Sequence, residues 1–270
     1  MDYLASGFAS VDASNKIEKF TQCLKLLNSL AFFQNYKQKT FDLLQLFEGA
    51  AVLEVGCGTG EDAIALAKRV GNTGRIVAID HSRAMIAQAI ESAKGLDLPI
   101  EFRLGEAEKL PFEDNEFYAA RVDRTLQHIP EPQTAIAEMA RVVCSGGHIV
   151  AMEPDWETFT VNSQNRNTTR QLLNFWCDSL CSGWVGRNLS KYFKRAGLTD
   201  IQARPETLII TQLDLADKVF DLFQTADRAQ RTEFVSQQEA RDWLNELQQL
   251  DQSQEFFCSF TGFIVSGKKR

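Results

Sequence analysis

Ala51-Val-Leu-Glu-Val-Gly-Cys-Gly-Thr-Gly-Glu-Asp62 is a short apolar run, an acid, three glycines at alternate positions and a helix start. Val52, Leu53 and Val55 read as a buried strand, because strands of a parallel sheet are apolar on both faces. At Gly56, Gly58 and Gly60 the backbone has no Cβ, so it can turn sharply and approach a ligand. From Glu61 onward, Ile64, Ala67 and Val70 share one helical face. Strand, glycine loop and helix N-terminus predict a ligand cradle at the carboxyl edge of a sheet.

The loop spacing narrows the ligand. A dinucleotide fingerprint needs a third glycine where Glu61 stands, and an acid there opposes a pyrophosphate, which disfavours NAD and FAD. No Lys-Ser or Lys-Thr pair follows, which disfavours a triphosphate loop. A glycine turn that binds nothing is the bland alternative, and later residues weigh against it. The pattern E-x-G-x-G-x-G, with Glu54 two residues before Gly56, resembles the first motif of class I S-adenosylmethionine (SAM) methyltransferases. In that family the loop wraps the methionine part of a cofactor without phosphate. The resemblance implies that Glu54, Gly56, Cys57, Gly58 and Gly60 lie on the cofactor.

Composition agrees with an enzyme of that kind. The chain has 270 residues, 44% hydrophobic and 24% charged, the balance of a soluble globular protein with a real core. No apolar run approaches a membrane span, and Asp2 with no basic-then-apolar order is not a signal peptide. A cytoplasmic protein with no membrane partner is expected. The six cysteines are scattered without a C-x-x-C pair, and Cys177 and Cys181 lack a third ligand, so buried thiols and no metal are expected. A formal net charge of −7, with Lys268-Lys269-Arg270 as the basic cluster, disfavours nucleic acid as a partner.

Residues 1–13 carry little pattern and are expected to order around a ligand. A helix capped by Ser14 or Asn15 is predicted toward Phe33, and a second near Gln34 to Phe47. In similar methyltransferases such helices cover the active site, which implies an N-terminal helical lid over residues 1–49; simple packing on the sheet is the alternative. Arg75-Ile-Val-Ala-Ile-Asp80 is the second strand. Its terminal acid lies 20 residues beyond Gly60, and a carboxylate there can accept bonds from two vicinal ribose hydroxyls. His81 is placed beside the cofactor, and Ser82 to Lys94 is a helix with Met85 on its inner face, also toward the cofactor.

Ile100 to Leu104 alternates as a third strand. Gly105-Glu-Ala-Glu-Lys-Leu-Pro-Phe112 resembles the G-D-A-x-x-L-P-F segment of small-molecule methyltransferases. That implies Glu106, in place of the usual Asp, on the adenine amino group and the Ala107 N–H on a ring nitrogen. Glu116 to Val122 is the fourth strand, and Tyr118 departs from the usual F-D. Leu126-Gln-His-Ile-Pro-Glu-Pro132 resembles the L-x-H-x-x-x-P turn of the ubiquinone/menaquinone methyltransferase group. A helix from Gln133 to Val143, ended by Gly146-Gly147, precedes a fifth strand, His148 to Glu153. Pro154-Asp-Trp156 is expected to leave the sheet. Helices follow at Asn167–Ser182, Leu189–Ala196, Leu215–Arg228 and Glu239–Leu250, with extended segments at Ile201–Gln212 and Phe256–Ser266. The alternating order predicts an α/β fold: a doubly wound, mostly parallel seven-stranded Rossmann-like sheet with helices on both faces and helical caps at both ends. The methyltransferase domain spans 50–270, with helical insertions near 155–187 and 213–250.

Methyl transfer from a sulfonium is an in-line displacement, and positioning the acceptor about 3 Å from the methyl carbon supplies most of the acceleration. A base is needed only for a hydroxyl or protonated amine. His128 is the candidate base or acceptor-holding residue; a helix-start histidine bonded to backbone is its ordinary alternative. Asp123, Arg124 and Gln127 are placed near the cofactor carboxylate and ammonium. Glu153 and Asp155 are candidates for a polar acceptor group, or members of a surface turn. Trp156, Trp176 and Trp184 are candidate walls of an apolar pocket, which favours a hydrophobic or aromatic small-molecule acceptor. Nucleic-acid amino methyltransferases carry N/D-P-P-Y/F where Val122-Asp-Arg-Thr125 stands, which disfavours base methylation. The expected activity is SAM-dependent methyl transfer, releasing S-adenosylhomocysteine. A cyclase-like or regulatory SAM-binding protein is the alternative.

Overall fold

The computed structural model describes residues 3–270; Met1 and Asp2, the latter used in the signal-peptide reading, lie outside the described residues. Seven strands form one sheet: β1 (Ala51–Val55), β2 (Arg75–Asp80), β3 (Ile100–Leu104), β4 (Phe117–Asp123), β5 (Val143–Val161), β6 (Thr199–Ile210) and β7 (Cys258–Lys268). Their order is β3-β2-β1-β4-β5-β7-β6. β1 to β5 pair in parallel, and β7 runs antiparallel between β5 and β6. The order reverses between β1 and β4, and the carboxyl ends of those two strands open a crevice where open α/β sheets bind ligands.

Alternation along the strands divides the core in two. Val52, Ile76, Ala78, Val150 and Met152 point to one face, and Leu53, Val55, Val77, Ile79 and Ala151 to the other. The first face is covered by α2 (Ile17–Ser29), α3 (Ala31–Leu43), α4 (Glu61–Val70) and α5 (Arg83–Ala93). The second is covered by α6 (Pro132–Val142) and α8 (Val185–Arg195). Both faces of β1 and β2 are covered, which is why these strands are mainly apolar.

The sheet departs from the sequence-based expectation at β5. It runs 19 residues, so Gly146-Gly147 lies inside a strand and Pro154-Asp155 continues it, while Trp156 to Phe159 bulge out of register with β7. Pro154 and Asp155 pair with Gly262 and Thr261 of β7, and this long antiparallel partner keeps the segment extended. The helix expected to reach Phe33 ends at Ser29, because Leu30 is extended (φ −81°, ψ 132°). Lys16, rather than Ser14 or Asn15, holds its N-cap position, while Ser14 Oγ accepts the Lys16 N–H.

The helix expected over Leu215–Arg228 is two, α9 (Leu213–Phe220) and α10 (Leu222–Arg231), broken at Asp221 in the left-handed region. Asp221 accepts the Leu4 N–H and the Lys19 ammonium, so the break has a tertiary cause. With α7 (Arg166–Asp178) and α11 (Gln237–Gln252), these helices lie between the late strands. Residues 3–13, which showed little pattern, form α1 (Leu4–Gly7) and a 3-10 turn, with Tyr3, Leu4, Ala5 and Val11 buried.

Candidate active site

The glycine loop is bolted to β2. Gly56 and Cys57 both donate their N–H to Ile79 O at 2.8 Å. Gly58 donates to Asp80 Oδ2 at 2.9 Å, and Ser82 N to Asp80 Oδ1 at 2.9 Å. Asp80 Oδ2 thus keeps a second lone pair, while His81 Nδ1 lies 3.4 Å from Oδ1. Burial raises the Asp80 carboxyl above its ordinary value, and the bonds from Ser82 and Gly58 draw it back. All three loop glycines have positive φ (Gly56 72°, Gly58 51°, Gly60 89°), a region costly for residues with a Cβ.

Beside the loop lies a buried charge cluster centred on Arg121. Its guanidinium is fully buried in β4 and donates to Glu54 at 2.5 Å, Asp62 at 3.0 Å, Asp123 at 2.8 Å and Thr40 at 2.8 Å. Lys37 donates to Asp62 and Asn28, and the Tyr36 hydroxyl to Asp123. Arg124 donates from Nε to Asp123 at 3.3 Å and lies 4.8 Å over the Phe33 ring. Burial raises the Glu54 carboxyl against the pull of Arg121, and its Oε2 has no partner. Asp62 is held low: burial opposes ionisation, but Lys37 and Arg121 outweigh it. Three acids (Glu54, Asp62, Asp123) and two cations (Lys37, Arg124) of this cluster border the cavity, with Arg121 behind them, and such a margin can receive an ammonium and a carboxylate together.

The turn after β4 carries the next residues. Arg124 is left-handed (φ 52°), and a 3-10 turn follows over Leu126–His128. Gln127 Oε1 accepts the Trp156 indole N–H at 2.7 Å. Burial, with the charges of His81 and Arg124, lowers the His128 pKa to about 3. The ring is then neutral at ordinary pH and a weak base, poorly matched to taking a proton near neutrality. Phe8 packs on it at 5.5 Å between ring centroids.

These parts border one cavity of about 350 Å³. Of the sequence-predicted residues, Glu54, Gly56, Cys57, Gly58, Asp80, His81, Met85, Glu106 and Ala107 line it. So do Asp123, Arg124, Gln127, His128, Trp156 and Trp176. Four lie elsewhere. Gly60 caps α4, where a Cβ would press on Ala89. Glu153 is fully buried beneath the β4 turn, bonded to backbone N–H groups. Asp155 is paired with Arg187, and Trp184 is 54% exposed at the N-cap of α8.

Sequence reasoning missed the buried network and much of the cavity wall. Arg121 carried a usable signal, a lone charge inside the apolar run Ala119-Ala120-Arg121-Val122. Leu4, Phe8, Phe220 and Phe260 reach the cavity from distant segments through tertiary packing, which local periodicity does not encode. Among the described residues, no helix is long and apolar enough to cross a membrane, and no group of His, Cys, Asp or Glu is placed to hold a metal ion.

Residues 46–197 match the family described as "Methyltransferase domain". The chain is 32% identical over 233 residues to an uncharacterized 37.1 kDa protein in transposon TN4556 of Streptomyces fradiae, covering 86% of this chain and 66% of that protein. It is 28% identical over 220 residues to a demethylmenaquinone methyltransferase of Bacillus cereus, covering 74% of this chain and 93% of the relative. In fold it resembles the crystal structure of the YcgJ protein of Bacillus subtilis, with a TM-score of 0.63, 18% identity, and coverage of 88% and 99%.

Proposed function

The chain belongs to the methyltransferase domain family as a class I SAM-dependent methyltransferase, and we propose that it methylates a small hydrophobic or aromatic acceptor by in-line displacement. The observation that carries this reading is the cavity itself, which joins the Asp80 carboxylate and the acid–cation cluster to walls of Phe8, Trp156, Trp176, Phe220 and Phe260.

The residues present fit the cofactor. Asp80 has a lone pair on Oδ2 for a ribose hydroxyl, and Glu106 with the Ala107 N–H suits the adenine edge. The unpartnered oxygen of Glu54, with Asp123 and Arg124, suits the amino-acid end. When bound, the cofactor supplies a methyl group on a positively charged sulfur. The protein's part is then positioning and exclusion of water. The aromatic walls favour an apolar acceptor, since burying such surface contributes about 25 cal/mol per Å². Neutral His128 suits a hydrogen bond to that acceptor better than proton removal. Residues Leu4 to Val11, with α2 and α3, act as the lid. Free cysteines suit a reducing, cytoplasmic setting, and the acidic net charge of −7 disfavours nucleic acid.

The test is thermal unfolding with SAM, S-adenosylhomocysteine and NAD, on the wild type and Asp80→Ala. A ligand at about 100 times its Kd adds about 2.7 kcal/mol, a shift of roughly 5–10 °C for a chain of this size. Shifts with both adenosyl compounds, lost in Asp80→Ala and absent with NAD, support the reading. An NAD-only shift overturns it. A panel of phenols, quinols and apolar amines then separates the alternatives: S-adenosylhomocysteine release with one of them supports methyl transfer. Binding without release from any acceptor favours a cyclase-like or regulatory protein.

A further inference from the structure

Glu153 has no place in the cofactor or acceptor contacts, yet it accepts three hydrogen bonds at the carboxyl edge of the sheet. It follows Met152, which pairs with Asp123 at the end of β4. Its carboxylate reaches across to three successive amides: Thr125 N at 2.8 Å and Leu126 N at 2.6 Å on Oε1, and Gln127 N at 3.3 Å on Oε2. These are the amides that the start of the 3-10 turn leaves unpaired, and Thr125 supplies no side-chain cap of its own. The side chain is fully buried, and no lysine or arginine among the described residues is bonded to it. Burial pushes its carboxyl up to about 8, against the pull of the three amides.

The bonds decide where the neighbours point. Arg124 sits in the left-handed region, unfavourable for a side chain with a Cβ, and is held there by its own N–H on Met152 O at 2.8 Å and by the Glu153 bonds that follow. Gln127, third of the bonded amides, grips the Trp156 indole, three residues beyond Glu153 on the same strand. One carboxylate thereby fixes both a cation at the expected amino-acid end of the cofactor and an aromatic wall of the cavity.

We propose that Glu153 is the positioning residue of methyl transfer in this chain, holding the Arg124–His128 turn so that its side chains meet the amino-acid end of the cofactor. This rests on the cofactor reading above. Both carboxyl oxygens accept amides of this turn, so replacing one oxygen by an N–H donor sets it against the Gln127 or the Thr125 and Leu126 amides and moves the turn rather than the adenosine end of the site.

Two probes separate these ends: S-adenosylhomocysteine, and 5′-methylthioadenosine, which lacks the amino acid. Glu153→Gln keeps the size and one accepting oxygen, and is expected to weaken S-adenosylhomocysteine on the order of tenfold while changing 5′-methylthioadenosine by less than about threefold. Glu153→Leu is expected to weaken the first further. In the spectrum of the indole N–H groups, the Trp156 signal moves in Glu153→Gln, while that of Trp243, bonded to Thr169 at 2.9 Å, stays. Equal losses for both nucleosides, or no loss and an unmoved Trp156 signal, overturn the proposal. If Glu153→Leu does not fold, Glu153→Gln decides. A wild-type protein that binds neither nucleoside overturns the cofactor reading instead, a result seen before any variant is made.

Discussion

Gly56 and Thr125 meet so closely that a Cβ on Gly56 would lie 2.1 Å from Thr125 Oγ1 and 2.7 Å from its Cβ. The glycine loop after β1 and the turn after β4 are thus in contact across the crevice between the two strands. Gly56→Ala combines this overlap with a left-handed backbone, and is expected to destabilise the fold by about 2–4 kcal/mol. Thr125→Gly removes every atom that the new methyl would strike. The double variant should therefore recover the steric part and leave the backbone part. Urea unfolding of the four proteins measures that coupling; additive losses would show that the contact is not the cause.

Arg121 is the cation that makes the buried acids tolerable. Arg121→Met removes it and leaves Glu54, Asp62 and Asp123 facing one another, so a loss of about 3–5 kcal/mol is expected at pH 8. The pH dependence has a definite sign. Without the guanidinium, the Glu54 carboxyl, already raised by burial, climbs further and Asp62 loses one of the charges that hold it low, so the folded variant binds protons more tightly than the wild type. The variant's deficit is then smallest in acid and grows with pH wherever the folded variant still holds protons that the folded wild type has released. Unfolding free energies of both proteins at pH 5 and pH 8 test this. A deficit equal at the two values would mean the network is held by packing rather than charge.

Arg121 also marks the limit of what could be read from the chain. The strands, the glycine loop and Asp80 were legible because each is a local pattern: period, chain reversal, an acid at a strand end. The β5–β7 pairing was not, because Pro154 and Asp155 are turn-like residues whose extended conformation comes from a partner a hundred residues away. Nor was the break at Asp221, which is set by bonds to Leu4 and Lys19. The aromatic wall was legible in Trp156 and Trp176 but not in Phe220 and Phe260, whose spacing looks like ordinary core. Trp184 shows the converse, a large apolar residue in the right stretch that faces out of the protein.

His128 should not titrate in the physiological range. Burial lowers its pKa to about 3, so the ring carries no charge from pH 9 down to pH 5. The lowered value has a stability consequence: the proton is taken up on unfolding, so the contribution of His128 is present above its unfolded value near 6.5 and falls as pH drops from there toward 3. Its ring carbon-bound proton signals are expected to stay fixed across pH 9–5, assigned by their loss in His128→Asn. A midpoint near 6.5 in those signals would restore His128 as a base with the right affinity for a proton.

Asp12 ties the N-terminal segment to the Asp80 side of the site. Its carboxylate accepts from Ser82 Oγ at 2.5 Å, Arg83 N at 2.9 Å and Ala84 N at 3.1 Å, at the start of α5 and two residues past Asp80. The bond from Ser82 comes first among the causes that hold its pKa below the ordinary value of 3.8. A depressed carboxyl stabilises the closed segment above its unfolded pKa, and that support is lost as pH falls through the folded one. At the far end, Tyr3 packs against Trp176 and shares a hydrogen bond with Thr225, so the segment spans the cavity from α5 to α10. Asp12→Ala at pH 7 should therefore speed amide hydrogen exchange at Arg83 and Ala84 and through residues 4–13, while leaving the β1 and β2 amides protected. Because the same segment borders the cavity, S-adenosylhomocysteine should also leave the variant faster, with a smaller change in its equilibrium affinity. Unchanged exchange at residues 4–13 would show that Tyr3 and the apolar contacts hold the segment alone, and that Asp12 merely caps a helix.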